Sequence, residues 1–521
     1  MLQRSWTFVL VTFSFLYVNT GGYDDKTFRA AVYEHATVPP NREVVVTRQE
    51  ALEYMTKNLE VYRKVTEEAR LQSVDIIVFP EDGLTYLGHS RKSIQPYLEY
   101  IPDPNRELWN PCENPKKYPN TEVQHTLSCL AKNNSLYIVA NMGDIQPCDA
   151  ANDTCPPDHH YQFNTDVVYD SFGTLIAKYH KINLYFEFNF DPSTSKEAVT
   201  FETPFGTFGV FTCFDILFWN PVVVLMKERG VSNIAFPTAW IDTPPFLAAV
   251  QFHSAVAAGF GVNFLSANMH IPQDRFLGSG IYSPEGARTY YYNNSVSSGG
   301  KLLVSDLNIL PRKSPWNTIS LNNGETYNDQ LNNSSGNQEV FQAETFGDMF
   351  NYVALSKSSG KARVCHNKLC CTASYTSREN ITELYALGAF DGLHTKQGTF
   401  YIQVCGIVRC KTNNKSSCGE GSVVSNTYFT QLKLFGTFRS PYIFPEILLF
   451  GDDTYQLAPP NNWSYANGTL EAKRLEQPLL AFSLFSRDYD YDPTNSSAGR
   501  RVTIITFSLI LLTFLLKYMY K

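Results

Sequence analysis

The sequence predicts a layered α/β domain followed by a smaller, disulfide-braced β-rich domain. Three observations point there. Strand-like apolar runs alternate with helix-like segments through residues 23–311, the order that builds α/β layers. Over 338–490 the runs become short, β-rich and separated by turns, and six cysteines gather among them. At 521 residues the chain also exceeds an ordinary single domain.

In the first region, residues 28–33 and 75–79 read as buried strands. Between them Thr47 and Glu50 form a capping box, and Leu52, Met55, Leu59, Tyr62, Val65 and Ala69 then recur at helical spacing. Further strands are expected at 137–141, 166–169, 209–212, 233–236 and 262–266. A helix is expected over 221–228, with Asn220 as cap, Pro221 at its first position and Gly230 just beyond. A second is expected over 248–258. Residues 312–337, rich in Ser, Asn and Gly, read as a linker. In the late region 401–408, 429–435 and 447–450 read as strands.

Composition narrows the function classes. Apolar residues make up 43% of the chain and charged residues 18%, which excludes global disorder. The net charge of −7 comes without any long basic run, so no nucleic-acid partner is expected.

Both ends carry targeting signals. Residues 1–22 read as a secretory signal: Arg4 supplies positive charge, 6–18 are apolar and 19–22 are small or polar. The apolar part is short for a retained membrane anchor. At the other end, residues 491–521 read as an anchor signal. Small residues at 495–499 precede an apolar run at 502–516, the pattern of a tail replaced by glycosylphosphatidylinositol. As a helix that run would reach only ~22 Å, short of a ~30 Å hydrocarbon core. The short spacer Arg500-Arg501 and the terminal Lys517 and Lys521 favour the competing reading, a short transmembrane helix. The expected location is the extracellular face of the cell membrane, with free secretion as the alternative.

Export predicts glycans and oxidised cysteines. Sequons occur at Asn133, Asn152, Asn293, Asn332, Asn333, Asn380, Asn414, Asn462, Asn467 and Asn495. Of eleven cysteines, four lie early (Cys112, Cys129, Cys148, Cys155) and six late (Cys365, Cys370, Cys371, Cys405, Cys410, Cys418). Both sets are even, which suggests two and three bridges of undetermined pairing. The cysteine left over is Cys213. His159 and His160 lie near Cys148 and Cys155 and could mimic a zinc site, but in an exported chain disulfides account better for those cysteines. No metal and no cofactor is expected.

Three segments share one form, a β-like run leading into a reactive side chain: Ile76-Ile77-Val78-Phe79-Pro80-Glu81, Leu175-Ile176-Ala177-Lys178-Tyr179-His180-Lys181, and Val210-Phe211-Thr212-Cys213. Functional side chains gather at strand ends in α/β layers. A carboxylate there can take a thiol proton, the thiolate can attack a carbonyl, and an ammonium can stabilise the oxyanion. Each residue also has a plain reading: a buried inert thiol, a helix-capping glutamate, a solvated lysine.

These segments resemble the nitrilase superfamily, and most of the chain resembles its vanin branch, the pantetheinases and their relative biotinidase. The matching motifs are Phe79-Pro80-Glu81-Asp82-Gly83, Tyr179-His180-Lys181 with Asn183-Leu184-Tyr185, Phe211-Thr212-Cys213-Phe214-Asp215, Pro237-Thr238-Ala239-Trp240 and Gly278-Ser279-Gly280-Ile281-Tyr282. In the late region they are Leu384-Tyr385-Ala386-Leu387-Gly388-Ala389-Phe390-Asp391-Gly392-Leu393-His394, the Cys370-Cys371 pair and Tyr442-Ile443-Phe444-Pro445. The resemblance implies a nitrilase-like αββα sandwich followed by the β-rich domain. It implies Glu81 as proton acceptor, Lys181 as proton donor and oxyanion partner, and Cys213 as nucleophile, with the Phe214 N–H as a second oxyanion donor. Glu187 is a supporting candidate that would orient the lysine or the substrate; a solvated loop acid is its other reading. The implied reaction is cleavage of pantetheine to pantothenate and cysteamine through a thioester. The alternatives are release of biotin from biocytin, and a non-catalytic surface glycoprotein for adhesion or signalling.

Overall fold

Alternation along each strand decides which residues meet across the first region's layers. The protein, a computed structural model, is described over residues 26–40, 45–149, 151, 153–193, 195, 198–312 and 339–493. The expected export signal, nearly all of the linker and the C-terminal apolar run lie outside the described residues. The strands are β1 (Thr27–Glu34), β2 (Ile76–Val78), β3 (Tyr137–Pro147), β4 (His160–Tyr169), β5 (Leu175–His180), β6 (Val199–Thr203), β7 (Gly206–Val210), β8 (Asn233–Thr238), β9 (Asn263–Asn268), β10 (Ser279–Ser283), β11 (Gly286–Tyr291) and β12 (Lys301–Asn308). They pair as two six-stranded sheets, β12-β1-β2-β3-β4-β5 and β11-β10-β9-β8-β7-β6. The central strands are parallel: β1, β2 and β3 in one sheet, β7, β8 and β9 in the other.

Ala30, Val32, Ile76 and Val78 join the core shared with the second sheet, while Ala31, Tyr33, Ile77 and Phe79 pack under helices. Burial on both faces explains why these strands read as continuous apolar runs. Helices α1 (Arg48–Leu71) and α2 (Glu122–Asn134) cover the outer face of the first sheet. Helix α3 (Ala249–Phe260) packs on β9, β10 and β11 of the second. The layers are therefore αββα. The capping box at Thr47 and Glu50 forms as expected.

The late strands are β13 (Val340–Thr345), β14 (Asp348–Leu355), β15 (Ser359–His366), β16 (Leu369–Ser377), β17 (Tyr385–His394), β18 (Phe400–Arg409), β19 (Phe429–Gly436), β20 (Ile443–Gly451), β21 (Thr454–Leu457), β22 (Trp463–Ala466), β23 (Thr469–Lys473) and β24 (Leu479–Arg487). They form a seven-stranded sheet, β13-β14-β17-β18-β24-β20-β21, and a five-stranded sheet, β15-β16-β19-β23-β22. A shared core that includes Val364, Leu387, Ile407, Leu434 and Phe482 makes them a sandwich. Strand β20 packs on α3 so closely that a Cβ on Gly259 would sit 2.6 Å from the Phe444 ring and 2.8 Å from the Ile443 carbonyl oxygen. Only glycine admits that approach.

The cysteines pair within their two sets: Cys112–Cys129 and Cys148–Cys155 early, Cys365–Cys370, Cys371–Cys405 and Cys410–Cys418 late. Cys371 on β16 and Cys405 on β18 tie the two sheets of the sandwich together. The Cys148–Cys155 bridge removes the thiolates that a zinc site beside His159 and His160 would need. Among the described sequons, Asn133, Asn380, Asn414 and Asn467 are exposed.

Two expectations change. The helix foreseen over 221–228 is present as two wider-wound turns, Trp219–Val223 and Leu225–Arg229, ending at Gly230 with φ 61°. Asn220 stays extended, and its carbonyl accepts from the Asn183 side chain. The strand expected at 166–169 is the tail of the longer β4, whose earlier residues are polar yet buried.

Candidate active site

The strand ends deliver the three segments to one place. Glu81 lies just past parallel strand β2, Cys213 just past parallel strand β7, and Lys181 directly after β5. The Lys181 ammonium donates to Glu81 Oε1 at 2.7 Å and to Glu187 Oε2 at 2.5 Å. Lys181 and Glu81 are each 2% exposed and Glu187 14%. Glu187 is thus held on the lysine, not solvated, although its neighbours Phe186 and Phe188 are exposed.

Cys213, the free cysteine among the described residues, opens the short helical turn Cys213–Leu217 with φ 46°. This is left-handed backbone, uncommon for a side chain with a Cβ and typical of functional turns. Asp215 anchors the turn. Its carboxylate accepts from the Tyr179 hydroxyl at 2.7 Å and from Asn183 N and Nδ2, both at 2.8 Å. The turn that carries Cys213 is thereby tied to the loop that follows Lys181.

Electrostatics follow from burial. Burial pushes the Cys213 thiol well up, as do the charges of Glu81 and Glu187, while Lys181 pulls it back. The thiol therefore keeps its proton until a base takes it. Burial acts to lower Lys181, but Glu187, Glu81 and Cys213 outweigh it and hold the ammonium well above its ordinary value. Glu187 is raised by burial, against the pull of Lys181. Asp82 is raised well above the usual range by burial and by Glu81 and Glu187.

Sequence reasoning missed the polar network behind these groups. Asn164 Nδ2 donates to Glu81 Oε1 at 2.8 Å and to Glu187 Oε1 at 2.6 Å. Asn141 donates to Asn164 Oδ1 and to Asp166 Oδ1, and accepts from the Asp82 backbone N–H. Asp166 Oδ2 accepts from the Thr212 hydroxyl at 2.7 Å, and the Ala239 N–H donates to Glu81 Oε2 at 2.8 Å. One signal was available: Gln162, Asn164 and Asp166 alternate with Phe163, Thr165 and Val167, a period of two that puts three polar side chains on one face of β4.

Burial pushes Asp166 up to about 8, against its hydrogen bonds from Thr212 and Asn141. An unfolded chain would lose that proton near pH ~4. Between those values the folded state holds the extra proton, so Asp166 lowers stability as pH rises through the window. The Tm of Asp166→Asn is expected to fall less between pH 6 and 8 than that of the wild type. Scanning calorimetry checks it; equal slopes would remove this assignment.

The arrangement can perform amide hydrolysis: a protonated thiol, a buried carboxylate and a charged ammonium meet at the ends of two sheets. Two family models match in order along the chain, carbon-nitrogen hydrolase over residues 47–289 and vanin C-terminal domain over 339–492. Pantetheinase of Homo sapiens is 46% identical over 489 residues, 93% of each chain, and pantetheinase of Mus musculus is 44% identical over 497 residues, 95% of each. Biotinidase of Homo sapiens is 38% identical over 499 residues, 90% of each chain. Among solved structures, an amidase from Nesterenkonia sp. is 17% identical with a TM-score of 0.38, covering 56% of this chain and 94% of that one. With relatives matched over about nine-tenths or more of the chain and both family models matched in order, the chain belongs to the vanin family of carbon-nitrogen hydrolases and is an amide-cleaving hydrolase.

Proposed function

We propose that the protein is a pantetheinase in which Cys213 is the nucleophile, Glu81 the proton acceptor and Lys181 the oxyanion partner. The interaction of the one unpaired thiol with the buried Glu81–Lys181–Glu187 cluster carries this reading. Glu81 takes the thiol proton as sulfur attacks the amide carbon. The Lys181 ammonium and the Phe214 N–H receive the oxyanion. Collapse breaks the C–N bond, Glu81 returns the proton to the departing amine, and a thioester remains. Glu81 then deprotonates water, which attacks the thioester; the acid leaves and the proton returns to sulfur. One water and one amide become one acid and one amine.

Pantetheine as substrate is supported by the pantetheinases that match along nearly the whole chain. The biotinidase matches keep biocytin as the second reading. A purely adhesive glycoprotein leaves the buried cluster without a purpose. The setting is extracellular, in keeping with five disulfides. The tail at 491–521 fits a lipid anchor, or alternatively release into the medium. Among the described residues no helix is long and apolar enough to cross a membrane.

Purified wild type and Cys213→Ala, each given pantetheine and biocytin, test the proposal. The expected result is thiol release from pantetheine that the variant lacks. Biotin release alone would move the assignment to biocytin, and no release from either would end it.

A further inference from the structure

Resting on Glu81 as the base, we infer that Asn164 is a positioning residue that holds the two glutamates in place around Lys181. Its amide has no freedom to turn over. Both N–H bonds of Nδ2 point at carboxylates, Glu81 Oε1 at 2.8 Å and Glu187 Oε1 at 2.6 Å. Its Oδ1 accepts from Asn141 Nδ2 at 2.6 Å. Turned over, Asn164 would set its oxygen against two carboxylates and its NH2 against another NH2.

Asn141 is locked in the same way. Its second N–H goes to Asp166 Oδ1 at 2.8 Å, and its oxygen takes the Asp82 N–H at 3.1 Å. The Asp166 carboxyl then takes the Thr212 hydroxyl, and Thr212 adjoins Cys213. One chain of directed hydrogen bonds therefore joins the loop after β2, the strands β3 and β4, and the turn that carries the thiol. Every member is buried, where a bond to a charged group is strong and its loss costly.

The groups facing Glu81 are Asp82 beside it, Asp166 on β4, Lys181 after β5, Glu187 in the next loop, and Cys213 after β7. Lys181 is the one cation among them. A single ammonium shared by two glutamates leaves each short of stabilisation, and Asn164 supplies both with a further donor. Hydrogen bonds to a charged carboxylate favour it, so removing Asn164 withdraws a donor that both glutamates share.

The test is the pH profile of kcat/KM on pantetheine for wild type, Asn164→Ala, Asn164→Ser and Glu81→Gln, with Tm measured alongside. Asn164→Ala is expected to lose on the order of tenfold to a hundredfold in kcat/KM, mostly in kcat, and its acid limb is expected to move up by roughly one pH unit. Asn164→Ser, which keeps one donor, should fall between; if the alanine variant does not fold, the limb of the serine variant decides. A loss of activity with an unmoved acid limb, or no loss at all, would overturn the inference and reduce Asn164 to packing. Glu81→Gln separates the two claims. If it keeps wild-type turnover, the assignment of the base fails. If it is inactive while the limb of the Asn164 variants stays put, only the role of Asn164 fails.

Discussion

Lys181→Ala is expected to lose at least two orders of magnitude in kcat/KM and, at the same time, to become most unstable at alkaline pH. The first effect follows from the proposed chemistry. The ammonium lies beside the thiol, and if it receives the oxyanion its loss typically costs ~3 kcal/mol of barrier. The second follows from burial. Glu81 and Glu187 both bond Lys181 in a pocket from which water is almost excluded. Without the lysine, the two buried carboxylates keep only neutral donors, Asn164 between them and the Ala239 and Tyr185 N–H groups, and they cannot both remain charged cheaply. Breaking such a buried pair typically costs ~3–5 kcal/mol. One carboxyl recovers part of this by taking a proton, so in the variant the native state binds more protons than the unfolded chain. Its stability must then rise as pH falls toward ~5. Steady-state turnover at the wild-type optimum and denaturant unfolding at two pH values measure the two effects independently. Near-normal turnover would remove Lys181 from the mechanism. A stability deficit equal at both pH values would mean that the two glutamates do not depend on it.

Most of what can be read from the sequence here is local. Thr47 and Glu50 cap α1 because the capping box needs only four consecutive residues. Residues 76–78 announce a strand because both their faces are buried. Cys213 stands out by arithmetic, since the other ten cysteines fall into two even groups that close on themselves. Glu81, Lys181 and Cys213 each follow a strand-like run, and the ends of strands in such layers are where side chains converge.

What stays hidden is whatever depends on a distant partner. Asn164 meets Glu81 across 83 positions of sequence, and nothing in the run His160–Tyr169 states that partner. Hydrophobic pattern even argues against the first half of β4, because its buried face is polar; the face is affordable only when each amide and carboxyl is paired. Glu187 is similarly disguised. It sits between two exposed phenylalanines, as a solvated loop acid would, and only the folded loop turns its carboxylate inward onto Lys181. The turns at 219–229 fail for a smaller reason. The cap and stop signals at Asn220 and Gly230 mark where the chain enters and leaves, but they do not fix how tightly it winds between.

Arg487→Ala, more than 270 residues from the thiol, is expected to destabilise the protein by ~3–5 kcal/mol and to slow turnover as well. Arg487 lies at the end of β24 in the late sandwich, fully buried. Its Nε donates to the Leu217 carbonyl at 2.7 Å, closing the turn that begins at Cys213. Its other donors go to the Tyr401 carbonyl and to Asp492 Oδ2, the latter at 2.6 Å. The guanidinium also lies over the rings of Phe400 and Tyr489. Phe400 in turn meets Phe214 and Phe218 edge-on, and a Cβ on Gly398 would reach within 2.7 Å of the Phe214 ring. The late sandwich therefore holds both ends of the Cys213 turn, through Phe214 at its start and Leu217 at its close. Alanine strands the Leu217 carbonyl and the Asp492 carboxylate and leaves a void beneath Phe400. Arg487→Lys keeps the charge but loses the planar fork, so it should restore part of the stability and little of the Leu217 contact. Chemical denaturation of the three proteins, with alkylation of Cys213 under native conditions, checks the account. Faster alkylation in Arg487→Ala at unchanged global stability would still support a loosened turn, whereas wild-type stability together with a wild-type alkylation rate would show that the sandwich does not hold the Cys213 turn in place.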